Sequence, residues 1–116
     1  MTRVLVCGGR DFNNKEKVFS VLNSYDQDYD FTAVIHGAAK GADSAAGLWA
    51  SSQQHIKEIR FPANWKKYGK AAGRIRNKRM LEEGKPDLVI AFPGGRGTFN
   101  MVMEARAAGI EVIDIP

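Results

Sequence analysis

One cysteine and no long apolar run limit this chain before any motif is considered. Cys7 is the only cysteine, so no disulfide can form within the chain. Its place in the apolar run 4–7 fits a buried thiol better than a nucleophile. The longest apolar runs fall well short of the roughly 20 residues that a membrane-spanning helix needs. Residues 1–5 lead directly into a strand-like segment without a secretory signal pattern, so the expectation is a cytoplasmic protein with no membrane partner. No repeat or low-complexity stretch interrupts the sequence, and nothing in it reads as a metal or cofactor site. What remains is ordinary for a globular protein: 116 residues, 44% hydrophobic and 26% charged, enough for one domain spanning residues 1–116 with a normal core.

Charge is unevenly spread. The formal net charge is +4, and the excess concentrates where Lys66, Lys67, Lys70, Arg74, Arg76, Lys78 and Arg79 precede only Glu82 and Glu83. A positive potential there favours an anionic ligand or partner, although most of these side chains read as a solvated helix face.

Hydrophobic periodicity gives alternating strands and helices. Residues 4–7, 31–35, 56–61, 87–92 and 111–115 read as strands, the third alternating enough to be half-buried. Residues 13–25 read as a helix with Val18, Val21, Leu22 and Tyr25 on one face, and with Asn13 and Glu16 placed for a capping box. Residues 41–54 present Ala42, Ala46, Trp49 and Ala50 to a core, a loop with Pro62 and Trp65 follows, and helices occupy 71–83 and the segment after Thr98. Five strands alternating with four helices predict an α/β fold. The expected form is a Rossmann-like three-layer sandwich with a five-stranded parallel sheet, helices on both faces, and ligands at the carboxyl ends of the strands.

Three strand ends carry unusual residues. After the fourth strand comes FPGGRGTFN, residues 92–100. Pro93 stops the strand, Gly94, Gly95 and Gly97 let the main chain approach a ligand, and Thr98 supplies a hydroxyl. The helix beyond aims free N–H groups and the positive end of its dipole at the same point, which makes a phosphate site. After the first strand stands GGRDF, residues 8–12, where Arg10 either meets a phosphate or, with Asp11, is solvated beside a simple glycine turn. After the second stands HGAAKGAD, residues 36–43. Lys40 opposes the dipole of the helix it precedes, and a bound anion explains it better than helix stability does. Asp43 fits as a first-turn acid or as a ligand contact, and His36 as a ligand contact or a packed strand-end side chain.

The helix at 71–83 supplies the sharpest single residue. Ala72, Arg76 and Met80 are spaced by four, which puts a guanidinium on an inward face, with Arg79 near the stripe and Arg74 and Lys78 pointing elsewhere. Such a group needs an anionic or hydrogen-bonding partner: a ligand phosphate, a carboxylate such as Asp11 or Asp43, or escape to the surface.

Four ordered segments together resemble one family: VLVCGGRDF (4–12), HGAAKGADSAA (36–46), IRNKRM (75–80) and FPGGRGT (92–98). The chain resembles the SLOG superfamily of Rossmann-like nucleotide-ligand proteins, and within it the small, single-domain YspA-like, cpYpsA-related members of bacteria and phages. The resemblance covers nearly the whole chain. It implies a ligand-binding set made of Gly8, Gly9, Arg10, Asp11, Phe12, His36, Gly37, Lys40, Gly41, Asp43, Arg76, Asn77, Pro93, Gly94, Gly95, Arg96, Gly97, Thr98 and Asn100, with Trp65 or Phe12 covering a base.

More distant relatives imply different activities. In the Lonely Guy phosphoribohydrolases, which release the base from a nucleoside monophosphate, a similar arginine helix and PGG-x-GT turn form the active site, and Arg76 falls on the catalytic arginine. That family places a catalytic glutamate two residues after the threonine, where this chain has Asn100. An amide neither acts as a general base nor stabilises an oxocarbenium-like ribose, so the departure argues against hydrolysis. Glu104 lies one turn further on, displaced by about 6 Å along a helix that rises ~1.5 Å per residue, and is the only candidate substitute. The GAAKGAD and IRNKR segments also resemble DprA-type proteins, which bind single-stranded DNA. Against that role, only Phe12, Trp65 and Tyr68 are placed to stack bases. A third role, sensing or sequestering a nucleotide-derived signal such as an ADP-ribose-like or cyclic nucleotide species, needs the phosphate cradles and no acid. The expectation is therefore a small-molecule nucleotide binder, with nucleic acid a less favoured partner and a homodimer or higher homo-oligomer implied by analogy.

Overall fold

Alternation in two apolar strands builds the molecule in three layers. In the computed structural model, which describes residues 1–116, β1 (Thr2–Cys7) lies at the centre of one five-stranded sheet. Val4 and Val6 of β1 face one side, with Val18, Leu22, Phe31, Trp49 and Phe92. Leu5 and Cys7 face the other, with Ile35, Met80, Val89, Met101 and Val102. Successive side chains of a strand point to opposite faces, so an unbroken apolar run is what a strand covered on both sides requires. Helices α1 (Lys15–Tyr29) and α2 (Ala42–Ser51) cover the first face, and α4 (Ala72–Gly84) and α5 (Arg96–Ala107) the second. The expected residues Ala42, Ala46, Trp49 and Ala50 are all buried.

The strand order is β3 (Lys57–Arg60), β2 (Phe31–His36), β1, β4 (Leu88–Ala91) and β5 (Glu111–Asp114), and every pairing is parallel. The chain runs outward through β2 to the edge strand β3. It then returns across the sheet to β4 and ends on the other edge with β5. Between β1 and β4 the direction of winding reverses, and an open α/β sheet has its ligand crevice at that switch point, beyond the carboxyl ends of the strands. Both edge strands are only half-buried, as the alternation at 56–61 predicts for β3.

Several boundaries differ from expectation for local reasons. Asn14, not Asn13, caps α1, its Oδ1 accepting from the Lys17 N–H at 3.0 Å, so no capping box forms between Asn13 and Glu16. The helix runs four residues past Tyr25 to Tyr29, whose ring packs at 6.3 Å from Phe31, and closes on Asp30 in the left-handed conformation (φ 55°). Helix α2 stops at Ser51 rather than Gln54, where Ser52 caps it. The loop expected around Trp65 contains a four-residue helix, α3 (Trp65–Tyr68), whose cap Asn64 accepts from the Lys67 N–H at 3.0 Å, followed by a 3-10 turn into α4. Helix α5 begins at Arg96, inside the glycine turn, so Gly97 and Thr98 belong to its first turn.

Candidate functional site

The loops after β1, β2 and β4 are braced against one another at the switch point. Gly9 donates its N–H to the Pro93 carbonyl at 2.8 Å, and its own carbonyl accepts from Phe12 at 3.1 Å and Ala42 at 3.3 Å. Gly8 sits where these elements converge. A Cβ there would lie 2.6 Å from the Ala42 Cβ and 2.9 Å from the Phe92 Cβ, closer than carbon atoms pack, so only glycine lets α2 start this near β1.

Helix α5 opens onto the same place with its donors free. Its cap is Gly95, which has no side chain to accept a hydrogen bond, and the first intrahelical bond runs from Phe99 N–H to the Gly95 carbonyl at 3.0 Å. The N–H groups of Arg96, Gly97 and Thr98 therefore have no partner within the helix. Together with the dipole they form an anion-binding end. A cleft of about 530 Å3 lies here, lined by Gly8, Gly9, Arg10, Asp11, Phe12, Ala39, Asp43, Arg76, Asn77, Pro93, Gly94, Gly95, Gly97 and Thr98, with Cys7 and Met80 completing it.

Arg76 enters this cleft from α4 without a carboxylate partner. Its Nη1 donates to the Gly37 carbonyl at 2.5 Å and its Nε to Asn77 Oδ1 at 3.0 Å. The ion pairs are Arg79–Glu83 and Arg106–Asp114, and His36 contacts Glu58, so neither Asp11 nor Asp43 pairs directly with Arg76. Burial pushes the guanidinium pKa down, the nearby Asp43 charge opposes that, and the like charge of Arg10 adds to it. Gly37 makes the placement sterically allowed, since a Cβ there would lie 2.7 Å from the Arg76 Cζ.

Asp43 is committed to the β2–α2 loop. Its Oδ2 accepts from the N–H groups of Gly37 at 3.1 Å and Ala39 at 3.2 Å, while burial pushes its pKa up. Asn77 is likewise committed, donating to the Gly97 carbonyl at 3.1 Å and to Asn100 Oδ1 at 3.0 Å. Cys7 is 7% exposed, and burial raises its pKa to about 12, so the thiol at the cleft remains protonated.

Some residues expected to bind the ligand lie outside the lining of this cleft. His36 is buried and faces a smaller cavity beside β3, where Nε2 meets Glu58 Oε2 at 2.6 Å and Nδ1 accepts from the Ala38 N–H at 3.0 Å. That acceptor role places the ring proton on Nε2, which donates to Glu58. Lys40, Gly41 and Arg96 do not line the cleft; Gly41 is the cap of α2, and Lys40 and Arg96 are exposed. Gly37 stands behind Arg76 rather than in the lining. Asn100 turns to Asn77, and Glu104 is exposed outside the cleft. Trp65 is 48% exposed beyond the lining, with the Arg10 guanidinium carbon 5.5 Å from its ring centroid. Phe12 does line the cleft, yet its ring packs 5.4 Å from Phe92. Ala39, Cys7 and Met80 are lining residues that the motifs did not single out, although Met80 lies one helical repeat from Arg76.

Comparison with known proteins bears on this site. A profile of the family described as YspA, cpYpsA-related SLOG matches residues 2–68, which carry the loops after β1 and β2. The Gene 61 protein of Mycobacterium phage D29 is 36% identical over 122 residues, covering 98% of this chain and 96% of its own length, so that similarity extends through α4 and the β4–α5 turn. No helix is long and apolar enough to cross a membrane. With more than half of its length matched, the chain belongs to the YspA, cpYpsA-related SLOG family.

Proposed function

We propose that the cleft holds a nucleotide-derived phosphorylated ligand, a nucleoside phosphate or an ADP-ribose-like or cyclic nucleotide signal, in a protein that senses or sequesters it. One observation carries the reading: the uncapped end of α5 and Arg76, which forms no ion pair, border the same cavity. Free backbone donors at a helix end and a half-buried guanidinium both favour an anion, and one phosphoryl group engages both. The cavity volume of about 530 Å3 suits a small molecule. Membership of a SLOG family supports a nucleotide-related ligand.

The same geometry favours holding over cutting. Asp11 and Asp43 are the only carboxylates lining the cleft, and Asp43 is occupied by two backbone N–H groups. Glycosidic cleavage by the route of the phosphoribohydrolases needs a free acid on α5, and Asn100 and Glu104 do not supply one to the cavity. A single-stranded DNA groove is disfavoured because Phe12, one of the three candidate stacking rings, is packed on Phe92.

A thermal-shift panel of nucleoside monophosphates, ADP-ribose, cyclic nucleotides and NAD tests this reading. At about 100 times Kd the stabilisation is about 2.7 kcal/mol, a rise of roughly 10 °C for a protein of this size. Arg76→Ala abolishes the rise, and chromatography of the incubated nucleotide shows no free base. A flat panel with the unmodified protein refutes ligand binding, and free base in the incubation refutes the binder-only reading.

A further inference from the structure

Two guanidinium groups share one cleft. Arg10 comes from the β1–α1 loop and Arg76 from α4; both line the cavity, and neither belongs to an ion pair. They lie close enough to repel, since the Arg10 charge contributes to lowering the Arg76 pKa. Asp11, next to Arg10 and also in the lining, forms no ion pair either. Asp43 offsets part of this positive charge but is held by two backbone N–H groups, so both guanidinium groups keep donors for a ligand with more than one negative group.

The two arginines are held very differently. Arg76 is fixed by the Gly37 carbonyl and Asn77, next to the α5 end, where one phosphoryl group completes its surroundings. Arg10 is exposed, and no hydrogen bond from its side chain is made within the protein; its contact is the face of Trp65, 5.5 Å from the ring centroid. A cation–π contact at an exposed site is weak, whereas a guanidinium–phosphate pair is charge-assisted and frequently bidentate. Arg10 is thus free to exchange an aromatic face for a phosphate at small cost. A monophosphate seated on α5 and Arg76 gives it no reason to do so.

We propose that Arg10 is a specificity residue that leaves Trp65 to grip a second phosphoryl group, so that the cleft selects nucleotides bearing a diphosphate over those bearing a monophosphate. This rests on the reading that the cleft binds a phosphorylated nucleotide, and it names the class of that ligand. Trp65 reports the event. The other tryptophan, Trp49, is 1% exposed and donates to Asn23 at 2.8 Å, so its emission stays constant when the cleft fills.

Matched mono- and diphosphates of adenosine, guanosine, cytidine and uridine, titrated by calorimetry with tryptophan emission followed in parallel, test the proposal. For the base that binds, the diphosphate binds at least tenfold more tightly than the monophosphate. Emission changes with the diphosphate and not with the monophosphate, and the change is absent in Trp65→Phe. Arg10→Gln brings the ratio of the two affinities close to one. Because Arg10 is exposed, this variant melts with the unmodified protein, which separates a specificity effect from a folding defect. Equal affinities in the unmodified protein, a ratio that survives Arg10→Gln, or constant Trp65 emission while the diphosphate binds overturns the proposal and leaves nucleotide binding intact. Failure of every nucleotide to bind overturns both.

Discussion

Asn77 donates to Asn100 Oδ1 at 3.0 Å, tying the middle of α4 to the second turn of α5. The same side chain donates to the Gly97 carbonyl at 3.1 Å and accepts from Arg76 Nε at 3.0 Å. One buried amide therefore sets the position of the guanidinium relative to the helix end that shares its anion. Asn100, at the position where the phosphoribohydrolase resemblance places an acid, acts as an uncharged acceptor for that link.

Removing the link should lower stability in a pairwise way. Asn77→Ala is expected to cost about 2–3 kcal/mol, because three hydrogen bonds are lost and their partners are left partly buried. Asn100→Ala is expected to cost about 1 kcal/mol. Urea unfolding of both variants and of the double variant should give a coupling of about 1 kcal/mol. Strict additivity would mean that the two amides do not interact in solution.

Gly37→Ala should act on Arg76 more than on the fold. The new methyl would stand 2.7 Å from the Arg76 Cζ and 3.0 Å from Asp43 Oδ2, so the guanidinium has to leave its carbonyl. Overpacking of this kind costs about 1–3 kcal/mol. The larger effect is on binding: the melting-temperature rise given by nucleotide should fall as far as it does in Arg76→Ala. A full rise in Gly37→Ala would show that the Gly37 carbonyl does not position the arginine.

These residues also mark what is legible in the sequence. The three glycine turns and the central strands are local patterns: apolar runs fix which segments lie inside the sheet, and small residues after each run fix where the chain approaches a ligand. Arg76 is legible as an inward cation from its spacing with Ala72 and Met80. Its acceptor is not, because Gly37 lies 39 residues away and a backbone carbonyl carries no side-chain signature. The His36–Glu58 contact depends on how β2 and β3 are paired, which likewise has no local cue. Helix α3 is too short to show a period. Asn13 and Asn14 are both competent caps, and two adjacent residues of one type give no local cue to which of them caps.

Asp43 should make stability fall as pH rises. Burial is the main cause of its raised pKa; the Ala39 N–H, the Arg76 charge and the Gly37 N–H offset it only in part. The folded protein therefore keeps this proton to a higher pH than the unfolded chain, whose aspartates titrate near 3.9. In the window above that value the folded state binds more protons, and the Asp43 contribution declines with pH until the folded group is ionised. Unfolding free energies of the unmodified protein and Asp43→Asn, compared from about pH 4 to about pH 7, should show the unmodified protein losing ground as pH increases. A difference of the opposite slope would mean that the hydrogen bonds outweigh burial.

Cys7 tests whether the cleft contains a nucleophile. Burial above all, together with the charges of Asp43 and Asp114 and against that of Arg76, raises its pKa to about 12. At about pH 8 the thiolate fraction is then on the order of one in ten thousand, far below that of a free cysteine with a pKa near 8.5. Iodoacetamide should leave the folded protein unmodified and add one alkyl group after denaturation, as intact mass spectrometry would record. Fast single alkylation of the folded protein, at a rate above that of its unfolding, would establish a reactive thiolate beside Arg76. Covalent chemistry would then have to be considered for a cleft whose other groups are arranged to hold an anion.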